Sequence, residues 1–381
     1  MADDPILALA EPGTLTDPYP ALARLRETQP IFWYPRFESW ILTRYVDAVE
    51  VLRDSTRFGS DWRRAGEDVP PQALSVQTLD PPEHTAVRRP LMEALRTVDG
   101  PALEASIAGH TATLLDRLAG RSRFDFVTDL AEPLALHTTM TLLGVPAPDL
   151  GWFVPVADAI ADGMDAGLWP EKGERAMPAR AELAAYTAGW LDDPAPHGLV
   201  GQLARHTGDD VERTVLANTL RVLLHAGYTS ASKVLGLAAA ALLGTGGFGR
   251  FPVRAPGPAV EELTRYCSPV QALARVCVEN TTLGGVPMRA GQAVTLLLGA
   301  ANRDPDRFPR PDELRFDRAP NPHLGFGRGA HSCLGSPVAN RQTRIVFDVL
   351  ARYPELRAAG APEYRHNLTL RGLRHLPVAW R

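Results

Sequence analysis

Lysine is almost missing from this 381-residue chain: only Lys172 and Lys233 occur, so arginine supplies 38 of the 40 basic residues. Compact ammonium groups are therefore scarce, whereas guanidinium forks suited to carboxylates are plentiful. Cysteine is scarce too. Cys267, Cys277 and Cys333 are too few, and odd in number, for a disulfide scaffold, which suits a reducing compartment. No window reaches the ~18 uninterrupted apolar residues of a membrane span, and the longest notable greasy run is Leu237 to Leu243. The start, Met-Ala-Asp-Asp-Pro, lacks the basic residues and apolar stretch of a secretion signal. A cytoplasmic protein without membrane contact is expected. The net charge of −4 provides no basic excess for phosphates, which argues against a nucleic-acid partner. Internal repeats and low-complexity linkers are also lacking, so residues 1–381 are expected to form a single domain.

What is present is ordinary globular material, 45% hydrophobic and 22% charged. Thirty-four prolines and 32 glycines are spread along the whole length and punctuate many short elements. Pro20 to Glu27 reads as a short amphipathic helix, and Ile31–Tyr34 and Trp40–Thr43 read as hairpin strands. Phe58 to Asp80 has weak periodicity and reads as a long loop, a kind of segment that is usually functional. Helical periodicity then marks Thr85–Leu95, Leu103–Leu118, Phe126–Leu143 and Arg180–Leu191. Asp209 to Leu243 predicts one long helix, and Ala259 to Tyr266 another. Short strands follow near Ala274–Val278 and Ala293–Leu297, then a polar meander from Arg303 to Arg318. A glycine-rich loop, Gly325 to Gly335, leads into a last helix ending near Tyr353. The fold class is mainly α with a minor β portion (α+β).

The chemistry concentrates in His323-Leu-Gly-Phe-Gly-Arg-Gly-Ala-His-Ser-Cys-Leu-Gly335. Its glycines allow unusual backbone angles and the close approach of a flat ligand. Cys333 stands where a helix begins, and helix-end amides favour thiolate over thiol. A thiolate on a glycine-lined surface suits an axial ligand to heme iron. A second His/Cys pair at zinc spacing is lacking.

The spacing Phe326-Gly327-x-Gly329-x-His331-x-Cys333-x-Gly335 resembles the heme-binding signature of the cytochrome P450 superfamily, in its soluble bacterial form. The resemblance spans roughly residues 15 to 350. It implies the cytochrome P450 fold, with a long distal helix over heme b and small antiparallel sheets at one side, and a Cys333 thiolate ligand. It implies that Glu262-x-x-Arg265 is a structural pair locking the meander, supplemented by Arg303. His84, Arg88, Arg275 and His331 resemble the residues that hold the heme propionates, with Phe326 and Gly335 lining the same loop.

On the long helix, Ala226-Gly227 resembles the small pair that opens a groove for dioxygen. Thr229 then stands where the family usually carries an acid, and Ser230 where it carries threonine. Cleaving the O–O bond needs two protons, so another source is required: water chained through Thr229 and Ser230, the substrate itself, or a reaction less dependent on oxygen insertion. By resemblance Val222, His225, Val270, Gln271, Ala272 and Leu273 line the substrate pocket, roofed by residues 58–79 and 152–180. Within that roof Trp62, Arg63, Arg64, Trp152 and Trp169 face either the pocket or the scaffold. His225 is either a pocket imidazole or a packed core residue.

The implied activity is heme-dependent monooxygenation of a small or medium-sized organic substrate, hydroxylation or epoxidation in natural-product biosynthesis. Oxidative coupling, cyclisation or desaturation is the alternative, and a non-catalytic heme sensor a third possibility. No flavin, iron–sulfur or dinucleotide motif is present, so ferredoxin and ferredoxin reductase are the expected electron donors. They would dock near Arg88, Arg89 and Arg328.

Overall fold

The computed structural model describes residues 4–192, 197–206 and 211–380. Its longer helices are α1 (Tyr19–Thr28), α2 (Tyr45–Arg53), α3 (Glu83–Arg96), α4 (Gly100–Leu118), α5 (Glu132–Leu143) and α6 (Leu150–Asp162). They continue with α7 (Pro170–Thr187), α8 (Gly198–His206), α9 (Arg213–Gly244), α10 (Pro256–Cys267) and α11 (Ser336–Leu350). The strands are β1 (Ile31–Tyr34), β2 (Ser39–Leu42), β3 (Phe58–Gly59), β4 (Arg123–Asp125), β5 (Ala272–Cys277) and β6 (Thr281–Leu283). After them come β7 (Val286–Met288), β8 (Ala293–Leu297), β9 (Arg357–Ala358), β10 (Glu363–Tyr364), β11 (Leu373–His375) and β12 (Pro377–Ala379).

Helix α9 contains no proline over 32 residues and is dominated by leucine, valine and alanine, so nothing interrupts its ladder. The expected start at Asp209 lies outside the described residues. By length and composition α9 would pass for a membrane span, yet most of its apolar window is packed inside the protein. Its first half, with Leu216, Leu220, Leu224 and Tyr228, joins a core shared with α3, α5 and α6. Its second half, with Leu235, Ala238 and Leu242, joins a second core shared with α4, α10 and α11. One helix thus couples two cores, which makes it a rigid support for the chemistry beside it.

Strands β1, β2, β8, β5 and β3 form one sheet in that order, antiparallel except for the parallel β2–β8 pair. The β5–β8 register sets Arg275 opposite Val294. The loop expected at residues 58–80 contains only β3 and two short helical turns, Trp62–Ala65 and Pro71–Ala73.

Four helices differ from the sequence reading, and of these α2 and α8 were not expected at all. Helix α6 was not expected and α7 begins ten residues early, each with an internal proline, Pro155 and Pro178. Proline argues for a break locally, but tertiary packing of Phe153, Ala157, Ala179 and Leu183 in the core overrides that cost. The segment expected as one helix from Phe126 instead opens with a π-helical turn, Val127–Ala131.

Candidate functional site

The glycine-rich loop is closed on itself by two backbone hydrogen bonds: Cys333 N–H donates to the Phe326 carbonyl (2.9 Å), and Gly327 N–H to the Leu324 carbonyl (2.9 Å). Gly327 and Gly329 take left-handed φ angles of 63° and 71°. A Cβ on Gly329 would also collide with the Leu52 carbonyl oxygen, so only glycine fits there.

Cys333 is exposed, whereas Cys267 and Cys277 are buried. Amide groups of Gly335 and Ser336 at the start of α11 point at its sulfur, and Arg88 lies near. Burial among protein atoms nevertheless wins and raises the thiol pKa above its ordinary value. The amides favour the thiolate as the sequence suggests, and burial around the sulfur works against it. A metal ion that binds the sulfur supplies the missing charge and displaces the proton.

Beside the loop stands a set of basic side chains. The His84 and His331 rings are 4.3 Å apart. Arg88 Nη2 donates to the Ser332 carbonyl at 2.7 Å, so Arg88 is turned into the site and away from the protein surface. Among the described residues, Arg275 donates only to its own neighbour's carbonyl, that of Ala274, at 2.8 Å. His84 Nε2 is buried without a hydrogen-bond partner. Burial, His331 and Arg88 together push His84 down to about 4, and burial pushes Arg275 down to about 10. A buried polar group left without a partner, as His84 Nε2 is, is costly. This set therefore fits a ligand that brings two carboxylates beside Cys333.

Asp80 was missed as a site residue. It receives His331 Nε2 at 3.2 Å, Arg64 Nη1 at 2.9 Å and the Ser60 amide, and so ties the 58–80 segment to the cysteine loop. Burial opposes its ionisation, but these donors hold its carboxyl well below the usual range. The Asp-Pro-Pro-Glu-His run carries it, yet no local pattern distinguishes it from a helix-start acid.

Behind the loop, Glu262 and Arg265 form a fully buried bidentate pair, 2.8 Å at both contacts. Arg265 continues to the carbonyls of Asn302 (2.9 Å) and Pro311 (2.8 Å), which pins the meander. Arg303 does not supplement this pair. Its guanidinium lies between the rings of Tyr19 and Tyr266, 4.0 and 3.8 Å from their centroids. Arg318 takes the expected place, with Nε 3.0 Å from Glu262 Oε2.

On α9, Ala226 is exposed in the middle of a mostly buried helix, which marks the open side of that helix. Val222 and Ser230 are half-buried, and Ser230 Oγ donates to the Ala226 carbonyl at 2.7 Å. Gly227 also serves packing: a Cβ there would meet Thr139 Cγ2 at 3.1 Å, so its smallness lets α5 approach. Thr229 is buried.

His225 is not a pocket imidazole. It is 7% exposed, and its Nε2 donates to the Ala157 carbonyl of α6 at 2.9 Å. Burial pushes it down to about 4, so the ring is a neutral core residue. Gln271 also turns inward: Nε2 donates to the Ser268 carbonyl at 2.6 Å, and its side chain packs on Gly299. Val270, Ala272 and Leu273 are half-buried. Of the roof side chains, Arg63 pairs with Asp61 and Glu83. Trp152 packs on Phe153 and Tyr186, and Trp169 on His366 and Lys172.

A cytochrome P450 family model matches residues 258–353. The polyketide biosynthesis cytochrome P450 PksS of Bacillus subtilis is 31% identical over 95% of this chain and 96% of its own. The mycinamicin IV hydroxylase/epoxidase of Micromonospora griseorubida is 33% identical over 93% and 94%. The ligand-free crystal structure of CYP164A2 from Mycobacterium smegmatis superposes with a TM-score of 0.88, at 32% identity, over 98% of this chain and 99% of that one. The chain belongs to the cytochrome P450 family of monooxygenases, whose cofactor is heme b, bound here through the thiolate of Cys333.

Proposed function

We propose that this monooxygenase inserts one oxygen atom from dioxygen into a small or medium-sized organic substrate, by hydroxylation or epoxidation, in natural-product biosynthesis. The observation that carries the reading is the set of basic side chains at Cys333, with an orphaned His84 Nε2 and, among the described residues, no carboxylate hydrogen-bonded to Arg275. When bound, heme supplies dioxygen activation, driven by electrons from outside the chain.

The chain's own residues do the rest. His84, Arg88, Arg275 and His331 hold the two propionates, while Phe326 and Gly335 line the loop beside them. Amides of Gly335 and Ser336 steady the negative sulfur of Cys333. The small, exposed Ala226 would leave room for dioxygen beside the bound heme, and the half-buried Ser230 would present a hydroxyl there. Gly227 acts by positioning α9 against Thr139. Val222, Val270 and Leu273 exclude water from an apolar substrate. The Glu262–Arg265–Arg318 cluster is structural.

Electrons come from a ferredoxin and its reductase in the cytoplasm. Exposed Arg89 and nearby Arg328 offer an acidic partner positive charge on the Cys333 side. Natural-product substrates are supported by the polyketide and mycinamicin relatives. The carboxylate usual on the distal helix is absent at Thr229, which favours one second reading: oxidative coupling, cyclisation or desaturation on the same heme.

The reduced protein under carbon monoxide is expected to absorb near ~450 nm, and Cys333→Ala to lose both that band and turnover. Product carrying one atom of isotopically labelled dioxygen supports oxygen insertion. Loss of two hydrogens without label supports the second reading. Colourless protein after hemin is supplied overturns both.

A further inference from the structure

His84 Nε2 has a counterpart in the 58–80 segment. Ser60, just past the end of β3, is 7% exposed, and its hydroxyl is buried without a hydrogen-bond partner. A hydroxyl rotates to meet any acceptor within reach. One left unpaired in the interior therefore marks a spot where the protein itself offers none, at a cost in stability.

The sheet register locates that spot. Strand β3 pairs antiparallel with β5, Phe58 opposite Cys277 and Gly59 opposite Val276. One further step of the same register sets Ser60 beside Arg275. Partners across an antiparallel pair share a face, as do residues two apart on one strand. Phe58 and Cys277 belong to the core that holds Leu42, Leu296 and Leu324. Leu324 opens the cysteine loop, so Ser60 and Arg275 stand on the face of the sheet turned toward that loop.

Asp80 holds Ser60 in place. Its Oδ2 accepts from the Ser60 amide at 3.0 Å, the Asp61 amide at 3.2 Å and Arg64 Nη1 at 2.9 Å. Its Oδ1 accepts from His331 Nε2 at 3.2 Å, and the His331 ring lies 4.3 Å from that of His84. One carboxylate thus links Ser60 to His331, and the register sets Ser60 next to Arg275. With Asp80 taken up by these donors, the Ser60 hydroxyl is left over.

We propose that Ser60 is a further heme-binding residue, its hydroxyl donating to a propionate beside His84 and Arg275, and that Asp80 positions it. A carboxylate is a stronger acceptor than a neutral oxygen, so one such bond outweighs its small area. The 58–80 segment then belongs to the cofactor site as well as to the roof. The proposal rests on the propionate set described above and adds a donor from a separate element.

Ser60→Ala removes only the hydroxyl. In the loaded protein, transfer of heme b to excess apomyoglobin is expected to run about tenfold faster than in wild type. The same proteins loaded with the dimethyl ester of heme b, which carries no propionate charge, should release it at nearly equal rates. Asp80→Asn should show the same contrast between acid and ester, because it loosens Ser60 and His331 together. Wild-type release of heme b from Ser60→Ala overturns the proposal. Equal acceleration with both hemes overturns it too and makes the hydroxyl a structural group. Arg275→Gln and His84→Asn serve as references and should favour loss of the acid form. If neither does, the propionate set itself is overturned, and the role of Ser60 with it.

Discussion

Arg318 Nε lies 3.0 Å from Glu262 Oε2, so one carboxylate serves two guanidinium groups, those of Arg265 and Arg318. Glu262 is fully buried, and its carboxylate also accepts from the amide of Arg315 and the side chain of Asn321. Burial works against its charge, but the hydrogen bonds from Arg265 hold its carboxyl below the ordinary range.

Removing that charge strands two buried cations. Glu262→Gln is therefore expected to destabilise the fold by about 3–5 kcal/mol and to release heme on dilution. Equilibrium unfolding in urea and heme retention on gel filtration measure the two effects. Arg303→Met, whose guanidinium belongs to the Tyr19–Tyr266 stack, should add independently to Glu262→Gln in a double-mutant cycle.

Gly227→Ala places a methyl 3.1 Å from Thr139 Cγ2 and 3.2 Å from its hydroxyl. The helices must separate slightly, at an expected cost of about 1–3 kcal/mol. Thr139→Ala in the same chain should recover most of it, because the clashing atoms are gone. Thermal unfolding of the single and double variants decides this.

His225→Ala leaves the Ala157 carbonyl without its donor. The expected result is a stability loss of about 1–3 kcal/mol with substrate affinity unchanged, since the ring does not face the cleft. A weakened substrate-induced spectral shift in a stably folded His225→Ala protein would contradict the structural assignment.

Acid sensitivity follows from His84. Burial, His331 and Arg88 push its pKa from the ordinary 6.5 down to about 4. Between these values the unfolded chain binds the proton and the folded one does not. Stability of the heme-free protein therefore falls as pH drops from 6.5 toward 4. Urea unfolding at pH 7 and pH 5 measures the loss, and His84→Asn should shrink it. Two carboxylates bound nearby favour His84 in its charged form, so loaded protein should lose less.

Much of this protein was legible in its residues because the relevant signals are local. The glycine spacing around Cys333 dictates a loop that a side chain at Gly329 would block, and a proline-free apolar run dictates a 32-residue helix. Glu262 and Arg265 meet because three residues on a helix bring them to one face. Long-range packing decided the rest. Whether Arg303 or Arg318 reaches Glu262 depends on how the meander folds back across more than 50 residues. His225 and Gln271 point away from the cleft because α6 and Gly299 approach from distant parts of the chain. Asp80 became a site residue only when His331 arrived from 251 positions away. Helix periodicity determines which residues share a face. Only the neighbour that covers that face determines whether it meets protein or the open cleft.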